Sequence, residues 1–156
     1  MDTKLHFLVV NDSPHIQHVI VSLLKELGYI KVSEATDGQM AMRAIKSAAA
    51  IGNPVKFVIT DCAMPFMDGL DLIRALRGMP ETKGAPILMA TEEASKDSVL
   101  SAHEAGADSY LVRPFKANSL RAKIDSLLIE KGLKQPEVSL KSFRPFLRPK
   151  PGDAGE

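Results

Sequence analysis

The chain has 156 residues, 45% of them hydrophobic and 25% charged, and a formal net charge of +1. These values are ordinary for one globular domain and exclude a collagen, a coiled coil or a wholly disordered chain. No apolar run approaches the roughly 20 residues of a membrane span, and the small net charge argues against a nucleic-acid binder. The single cysteine, Cys62, excludes an intrachain disulfide. Residues 1–6 lack a signal-peptide layout, so we expect a cytoplasmic protein.

Short apolar runs then alternate with helical patterns along the chain. Residues 7–10 (FLVV) are too few for a helix and predict a buried strand. Apolar residues recur at helical spacing from Ile16 to Leu27, and Gly28 is placed to end that helix. The cycle repeats, which predicts strands over 32–35, 57–60, 87–90 and 110–112 and helices over 40–50, 70–77, 95–105 and about 120–128.

This alternation of strands and helices predicts an α/β fold in which helices cover both faces of a parallel sheet. Right-handed crossover connections bring the carboxyl ends of all parallel strands to the same edge of the sheet. Ligands in such folds bind at that edge, where the strand order reverses. Residues that follow the predicted strands are therefore the first candidates for a functional site.

The composition changes at the C-terminal end, which predicts a domain over residues 1–132 and a basic, proline-containing tail over residues 133–156. The tail holds five basic residues, three acidic residues and four prolines. Two phenylalanines, Phe143 and Phe146, lie between its basic residues. Two interpretations stay open: a solvated tail, or a segment that docks on its own domain or on a partner.

Polar residues stand at the ends of four predicted strands. Asn11 and Asp12 follow the first strand, Asp61 the third, Thr91 the fourth and Arg113 the fifth. Two carboxylates at one edge favour a nearby cation, and Mg²⁺ prefers such oxygen ligands. A carboxylate beside Mg²⁺ can accept a phosphoryl group, and a hydroxyl and a guanidinium can bind the phosphoryl oxygens. The pattern therefore indicates phosphoryl transfer to an aspartate.

The motifs around these positions resemble those of a known family. They are FLVVND at 7–12, DCAMPFMDG at 61–69, LMAT at 88–91 and AGADSYLVRPF at 105–115. Over about residues 4–131 the chain resembles a response-regulator receiver domain, and within that family the single-domain chemotaxis regulators of the CheY type. The resemblance implies a flavodoxin-like, doubly wound parallel sheet of five strands in the order 2-1-3-4-5, with five helices. It also implies a two-component signalling protein rather than an enzyme.

The resemblance assigns the acceptor and the metal ligands. Asp61 would be the phosphoacceptor and would take its phosphate from a histidine kinase. Asp12, Asp61 and the backbone carbonyl of Ala63 would bind Mg²⁺. Asn11 occupies the position of a second acid, which reaches the ion through water.

The resemblance also assigns the switch. Thr91 would bond to the phosphoryl group, and Tyr110 would turn inward as Thr91 moves. Arg113 occupies the position of the phosphate-pairing lysine, and the bond before Pro114 would be cis. The switched surface would bind a downstream target protein, for which the flagellar motor is one candidate.

Two departures from the family pattern leave two functions open. Asn11 removes one negative charge from the metal site. Arg113 is planar and forked, unlike the point charge of a lysine. Because Asp61 and Thr91 are both retained, we favour a receiver that is atypical but still phosphorylated. The alternative is a protein-interaction module that signals without phosphate.

Other chemistries fit the sequence less well. A phosphatase of the haloacid-dehalogenase type requires a second acid two residues after its nucleophile, where this chain has Ala63. The turn after the first strand (NDSPH, 11–15) is acidic and lacks the glycines of a flavin phosphate loop. A nucleotide-binding P-loop is absent from the sequence as well.

Overall fold

The computed structural model describes residues 4–133, in which five strands alternate with five helices. The predicted tail lies outside the described residues, apart from Leu133. The elements are β1 (Phe7–Val10), α1 (Pro14–Glu26), β2 (Val32–Ala35), α2 (Gly38–Ala50), β3 (Phe57–Thr60), α3 (Gly69–Arg77), β4 (Ile87–Thr91), α4 (Lys96–Ala105), β5 (Ser109–Val112) and α5 (Ala117–Glu130).

The five strands form one parallel sheet in the order β2-β1-β3-β4-β5. This confirms the predicted order and the predicted number of helices. The register pairs Val10 with Thr60 and Thr91 with Val112, so these strands end at one edge. The chain order reverses between β1 and β3, and the residues that follow these two strands therefore flank the switch point of the sheet.

Each face of the sheet has its own hydrophobic core. Phe7, Val9, Phe57 and Ile59 point to the face covered by α1 and α5, where the Phe7 and Phe57 rings stack with centroids 4.8 Å apart. The alternate strand residues, including Leu8, point to the face covered by α2, α3 and α4. This two-sided burial explains why the strands are continuous apolar runs rather than alternating ones.

Side-chain caps determine where several helices begin. Ser13, Asp68 and Ser95 accept hydrogen bonds from backbone N–H groups in the first turns of α1, α3 and α4. Asp37 does the same for α2, accepting from the Met40 N–H at 2.8 Å. The helix predicted over 40–50 therefore begins two residues earlier, at Gly38. The apolar spacing alone could not place the start of α2, because neither Gly38 nor Gln39 has an apolar side chain on the buried face of this helix.

Asp108 joins three elements at the edge of the sheet opposite the strand carboxyl ends. Its Oδ2 accepts from Arg77 Nη2 at 2.6 Å and from the Ile87 N–H at 2.8 Å. Its Oδ1 lies 3.0 Å from Nζ of Lys131, just beyond α5. The C-terminal end of α5 is thus held beside the start of β5.

Candidate functional site

Asp61 lies directly beyond β3 and is held by the backbone of the neighbouring strand. Its N–H donates to the carbonyl of Val10 at 3.0 Å. The carboxylate Oδ1 accepts from the Cys62 N–H at 2.7 Å. The residue is only 7% exposed. The carboxylate is therefore fixed at the carboxyl edge of the sheet, at the switch point.

The loop from Asp61 to α3 folds back tightly against the backbone of Asp61 and Cys62. The Gly69 N–H donates to the carbonyl of Cys62 at 2.8 Å. A Cβ added at Gly69 would collide with the carbonyl oxygen of Asp61 and would lie 3.0 Å from the Cα of Cys62. Only glycine allows this close approach of two backbone segments. Gly69 therefore positions the loop that carries Asp61 and Ala63.

Replacing Gly69 with alanine is expected to destabilise the protein by about 3 kcal/mol, because the new methyl group must push the Asp61 backbone aside. Chemical denaturation monitored by circular dichroism measures the change. Gly84→Ala is the matched control, since nothing lies within 4 Å of a Cβ at that position. That variant should remain within about 0.5 kcal/mol of wild type. Equal stabilities for both variants would show that the loop does not pack as described.

Asn11 connects the turn after β1 to Asp61. It is 1% exposed, and its Nδ2 donates to Asp61 Oδ2 at 3.4 Å. Its Oδ1 accepts from the Ser13 N–H at 2.9 Å. The neighbouring Asp12 is exposed. Asn11 thus presents a donor, not a carboxylate oxygen, to Asp61.

Arg113 reaches Asp61 from the end of β5. Its Nη2 donates to Asp61 Oδ2 at 3.1 Å, and its Nη1 lies 3.7 Å from Glu92 Oε1. The side chain is 12% exposed, and Nε is buried without a hydrogen-bond partner among residues 4–133. The Arg113–Pro114 peptide bond is cis. Arg113 is therefore directed into the site, onto the same Asp61 oxygen that faces Asn11.

Thr91 and Tyr110 are linked through one residue of the loop after β4. The Thr91 hydroxyl, in a residue 2% exposed, accepts from the Glu93 N–H at 3.3 Å. The Tyr110 hydroxyl donates to the carbonyl of Glu93 at 2.7 Å. The two bonds involve successive peptide groups on either side of the Glu93 Cα, so a displacement of Thr91 would pull on the residue that holds the Tyr110 hydroxyl.

Burial raises the pKa of Tyr110 above its ordinary value, and the neighbouring Cys62, Glu93 and Asp61 raise it further. The pKa of the Cys62 thiol is raised as well, first by burial and then by Asp68, Glu93 and Asp61. A raised thiol pKa disfavours the reactive thiolate near neutral pH. This supports a structural rather than a redox interpretation of Cys62.

The residues predicted from the sequence to bind Mg²⁺ follow β1 and β3 at the carboxyl edge of the sheet. The carboxylates of Asp12 and Asp61 and the backbone carbonyl of Ala63 are hard oxygen ligands of the kind that Mg²⁺ prefers. Within residues 4–133, no group of three or more His, Cys, Asp or Glu side chains could hold a metal. Two carboxylates and one carbonyl are few ligands, so this set fits an ion that keeps several waters. An acid at position 11 would supply a third carboxylate.

Two residues that contact the predicted site residues were not identified from the sequence. Glu92 lies near the Arg113 guanidinium and competes with Asp61 for its charge. The backbone of Glu93 connects Thr91 to Tyr110. Glu92 and Glu93 directly follow Thr91 at the end of β4, and this position was the clue that the sequence offered. Their side-chain type carried none, because acidic residues are common in exposed loops.

The sequence profile of the response regulator receiver domain matches residues 7–125. The chain belongs to this family. The chemotaxis protein CheY of Pseudomonas aeruginosa is 38% identical over 123 residues, covering 79% of this chain and 95% of that protein. Chemotaxis protein CheY-3 of Vibrio cholerae is 34% identical over 127 residues, 81% of this chain and 94% of that protein.

Solved receiver structures agree with this assignment. The chemotaxis protein CheY4 of Vibrio cholerae superposes with a TM-score of 0.72 at 31% identity, over 80% of this chain and 98% of that one. The signal receiver domain of a histidine kinase from Syntrophus aciditrophicus gives 0.70 at 30% identity, over 86% and 97%. Receiver domains of this type are signalling proteins. No helix in the described part of this receiver is long and apolar enough to cross a membrane.

Proposed function

We propose that this receiver is a phosphoacceptor response regulator of two-component or chemotaxis signalling, with Asp61 as the acceptor. One observation carries the proposal. A single buried carboxylate lies at the switch point of the sheet, with the Arg113 guanidinium 3.1 Å from its Oδ2. The carboxylate can act as the nucleophile, and the guanidinium beside it can bind the oxygens of an incoming phosphoryl group.

In the proposed reaction, an Asp61 oxygen attacks the phosphorus of a phosphohistidine on the kinase. A P–O bond to Asp61 forms and the P–N bond to the imidazole breaks, so that the histidine leaves and takes up a proton. The product is an acyl phosphate. Arg113 would move from the carboxylate oxygen to the new phosphoryl oxygens, where its forked donors can bind two of them. Thr91 would donate its hydroxyl to a third.

Asp12, Asp61 and the Ala63 carbonyl would hold Mg²⁺ beside the acceptor, and Asn11 would reach the ion through water. When bound, the ion supplies positive charge to the transferring phosphoryl group. The Asp12 side chain is exposed, so it can turn towards the ion without breaking buried contacts. Asn11 contributes no charge, so we expect weaker binding than three carboxylates would give.

The proposed output passes through the chain of contacts from Thr91 to Tyr110. A phosphoryl group that draws the Thr91 hydroxyl towards Asp61 would weaken its bond to the Glu93 N–H, 3.3 Å long in this structure. The Tyr110 hydroxyl, which bonds to the same residue, would then change position. We propose that a downstream target reads this change on the surface formed by α4, β5 and α5. We further propose a cytoplasmic location, a histidine kinase as phosphodonor, and the flagellar motor as one candidate target.

Intact-mass spectrometry after incubation with acetyl phosphate tests the proposal. Samples with Mg²⁺ should gain the mass of one phosphoryl group, and samples with EDTA should gain little or none. The gain should disappear in hydroxylamine, which cleaves acyl phosphates. A gain that resists hydroxylamine would place the phosphate on another kind of residue and would contradict the proposal.

A phosphate-independent interaction module is the second candidate, and one feature of the site favours it. Asp61 Oδ2 already faces both the Arg113 guanidinium and the Asn11 amide, so the carboxylate has internal partners without a phosphoryl group or a metal. If wild type gains no phosphate from acetyl phosphate or from any histidine kinase of its host, this second function would replace the first.

Arg113→Lys is expected to change the rate of phosphorylation or dephosphorylation by about tenfold, because one ammonium replaces two guanidinium donors near the acceptor. Phos-tag electrophoresis over a time course measures both rates. Lys123→Arg, on α5 away from the site, makes the reverse change as a control. Unchanged rates in Arg113→Lys would mean that Arg113 does not contact the phosphoryl group.

A further inference from the structure

An apolar groove lies between α4 and β5. Its volume is about 560 Å³, and its lining includes Val99, Leu100, Ala107 and Tyr110. Leu100 is 55% exposed and Val99 40% exposed. Exposed apolar side chains that line one concave surface indicate a binding site more often than scattered ones do. The groove is also bounded by an open strand, because β5 pairs only with β4 within the described residues.

The segment around the groove is strongly acidic. Residues 92–108 contain five acidic side chains and one basic one, so an extended basic ligand would be attracted to this side of the domain. The acidic residues are Glu92, Glu93, Asp97, Glu104 and Asp108. Asp108 lines the groove with Lys96 and His103, but its carboxylate is already paired with Arg77 and Lys131. The attraction therefore comes from the exposed carboxylates beside the groove, Glu93, Asp97 and Glu104.

The chain that follows α5 has the complementary composition. Residues 141–150 (KSFRPFLRPK) contain four basic residues and no acidic ones, with Phe143, Phe146 and Leu147 between them. The two prolines of this stretch favour an extended backbone, which suits a segment that lies along a groove.

The C-terminal segment also starts in the right place. The described chain ends at Leu133, and Lys131 lies 3.0 Å from the groove residue Asp108. Nine residues lie between Leu133 and Phe143, and the ten steps from one Cα to the next reach up to about 33 Å. The four residues of β5 span only about 13 Å. The segment can therefore reach every part of the groove from its own domain.

We propose that residues 141–150 dock intramolecularly in the groove between α4 and β5, with Phe143 and Phe146 against Val99 and Leu100. This inference goes beyond the proposed phosphoryl transfer and does not depend on it. Tyr110 lines the same groove. A docked segment would therefore cover the surface that carries the switch, and a target would have to displace it.

A tryptophan reporter tests the docking directly, because the chain contains no tryptophan. In the full-length, unphosphorylated protein, Phe146→Trp should give an emission maximum shifted to the blue of the urea-unfolded chain, with reduced quenching by acrylamide. Adding Leu100→Lys, which removes an apolar contact and places a cation opposite the basic segment, should shift the emission back to that of an exposed indole.

Ile51→Lys is the matched control in the reporter background. Ile51 is 79% exposed at the end of α2, away from the groove, so its emission should stay blue-shifted. An exposed indole in the reporter alone, or no response to Leu100→Lys, would overturn the proposal. A blue shift lost on dilution to nanomolar protein would assign the groove to the segment of a second copy and would also overturn it. None of these results depends on phosphorylation of Asp61, so the two proposals can fail separately.

Discussion

Asp61→Asn is expected to abolish phosphorylation by small phosphodonors and by a histidine kinase. The substitution keeps the size of the side chain but removes the nucleophilic, charged oxygen. The hydrogen bond from the Cys62 N–H to Oδ1, 2.7 Å long, can still form with an amide oxygen. The loss should therefore come from chemistry and not from misfolding. Intact-mass spectrometry and circular dichroism of the same samples separate these two causes.

Asp71→Asn is the matched control for this experiment. Asp71 lies on α3 with its side chain 60% exposed and paired with Arg74, so the same chemical change occurs outside the site. This variant should accept phosphate at the wild-type rate. A phosphoryl group that persists in Asp61→Asn would show that another residue is the acceptor, and peptide mapping would identify it.

Asp12→Asn separates the metal from the acceptor. It leaves the Asp61 nucleophile intact but removes one of the two carboxylates proposed for Mg²⁺. Phosphorylation should slow and should require more Mg²⁺, but it should not disappear. This graded pattern, complete loss at Asp61 and partial loss at Asp12, is the signature of an acceptor next to a metal ligand.

The sequence predicted the fold well because the short apolar runs and the helical spacings between them indicated the same alternation of strands and helices. β1, β3 and β4 are covered on both faces of the sheet, so every residue of their apolar runs is buried. β2 is less regular, since it lies at one edge of the sheet and is only partly buried. The helix starts depended on caps such as Asp37, which periodicity alone does not reveal.

The candidate site was harder to predict than the fold, because it depends on side-chain direction. Strand ends and motifs identified Asn11, Asp61 and Arg113. They could not show where the forked Arg113 side chain lies, and the structure has its guanidinium 3.1 Å from the Asp61 carboxylate. Nor could they tell which atom of Asn11 faces Asp61. The orientation of the Asn11 amide depends on the Ser13 N–H, which donates to Oδ1 at 2.9 Å and thereby turns Nδ2 towards Asp61.

Asn11→Asp is expected to tighten Mg²⁺ binding by about tenfold or more. Two unit charges about 4 Å apart interact by about 1 kcal/mol in water and by about 4 kcal/mol near a protein surface, where the effective dielectric is lower, and the double charge of Mg²⁺ roughly doubles both values. The variant also brings a third carboxylate close to Asp12 and Asp61. Without the ion, their mutual repulsion should lower the stability.

Two measurements therefore check this prediction. Calorimetric titration should show the tighter binding, with the difference from wild type shrinking at high salt. The thermal midpoint of Asn11→Asp should start below that of wild type and should rise more steeply with Mg²⁺, since tighter binding to the native state gives greater stabilisation at the same free-ion concentration.

Asn118→Asp supplies the matched control, because it adds the same charge at an exposed position in the first turn of α5. It should leave Mg²⁺ affinity at the wild-type value. If Asn11→Asp also binds the ion no more tightly than wild type, the side chain at position 11 does not face the metal. The Asn11 amide would then serve only to hold Asp61. Asn11 would be a structural substitution. Arg113, which has the charge of a lysine but a planar, forked shape, would be the departure that acts on the phosphoryl group.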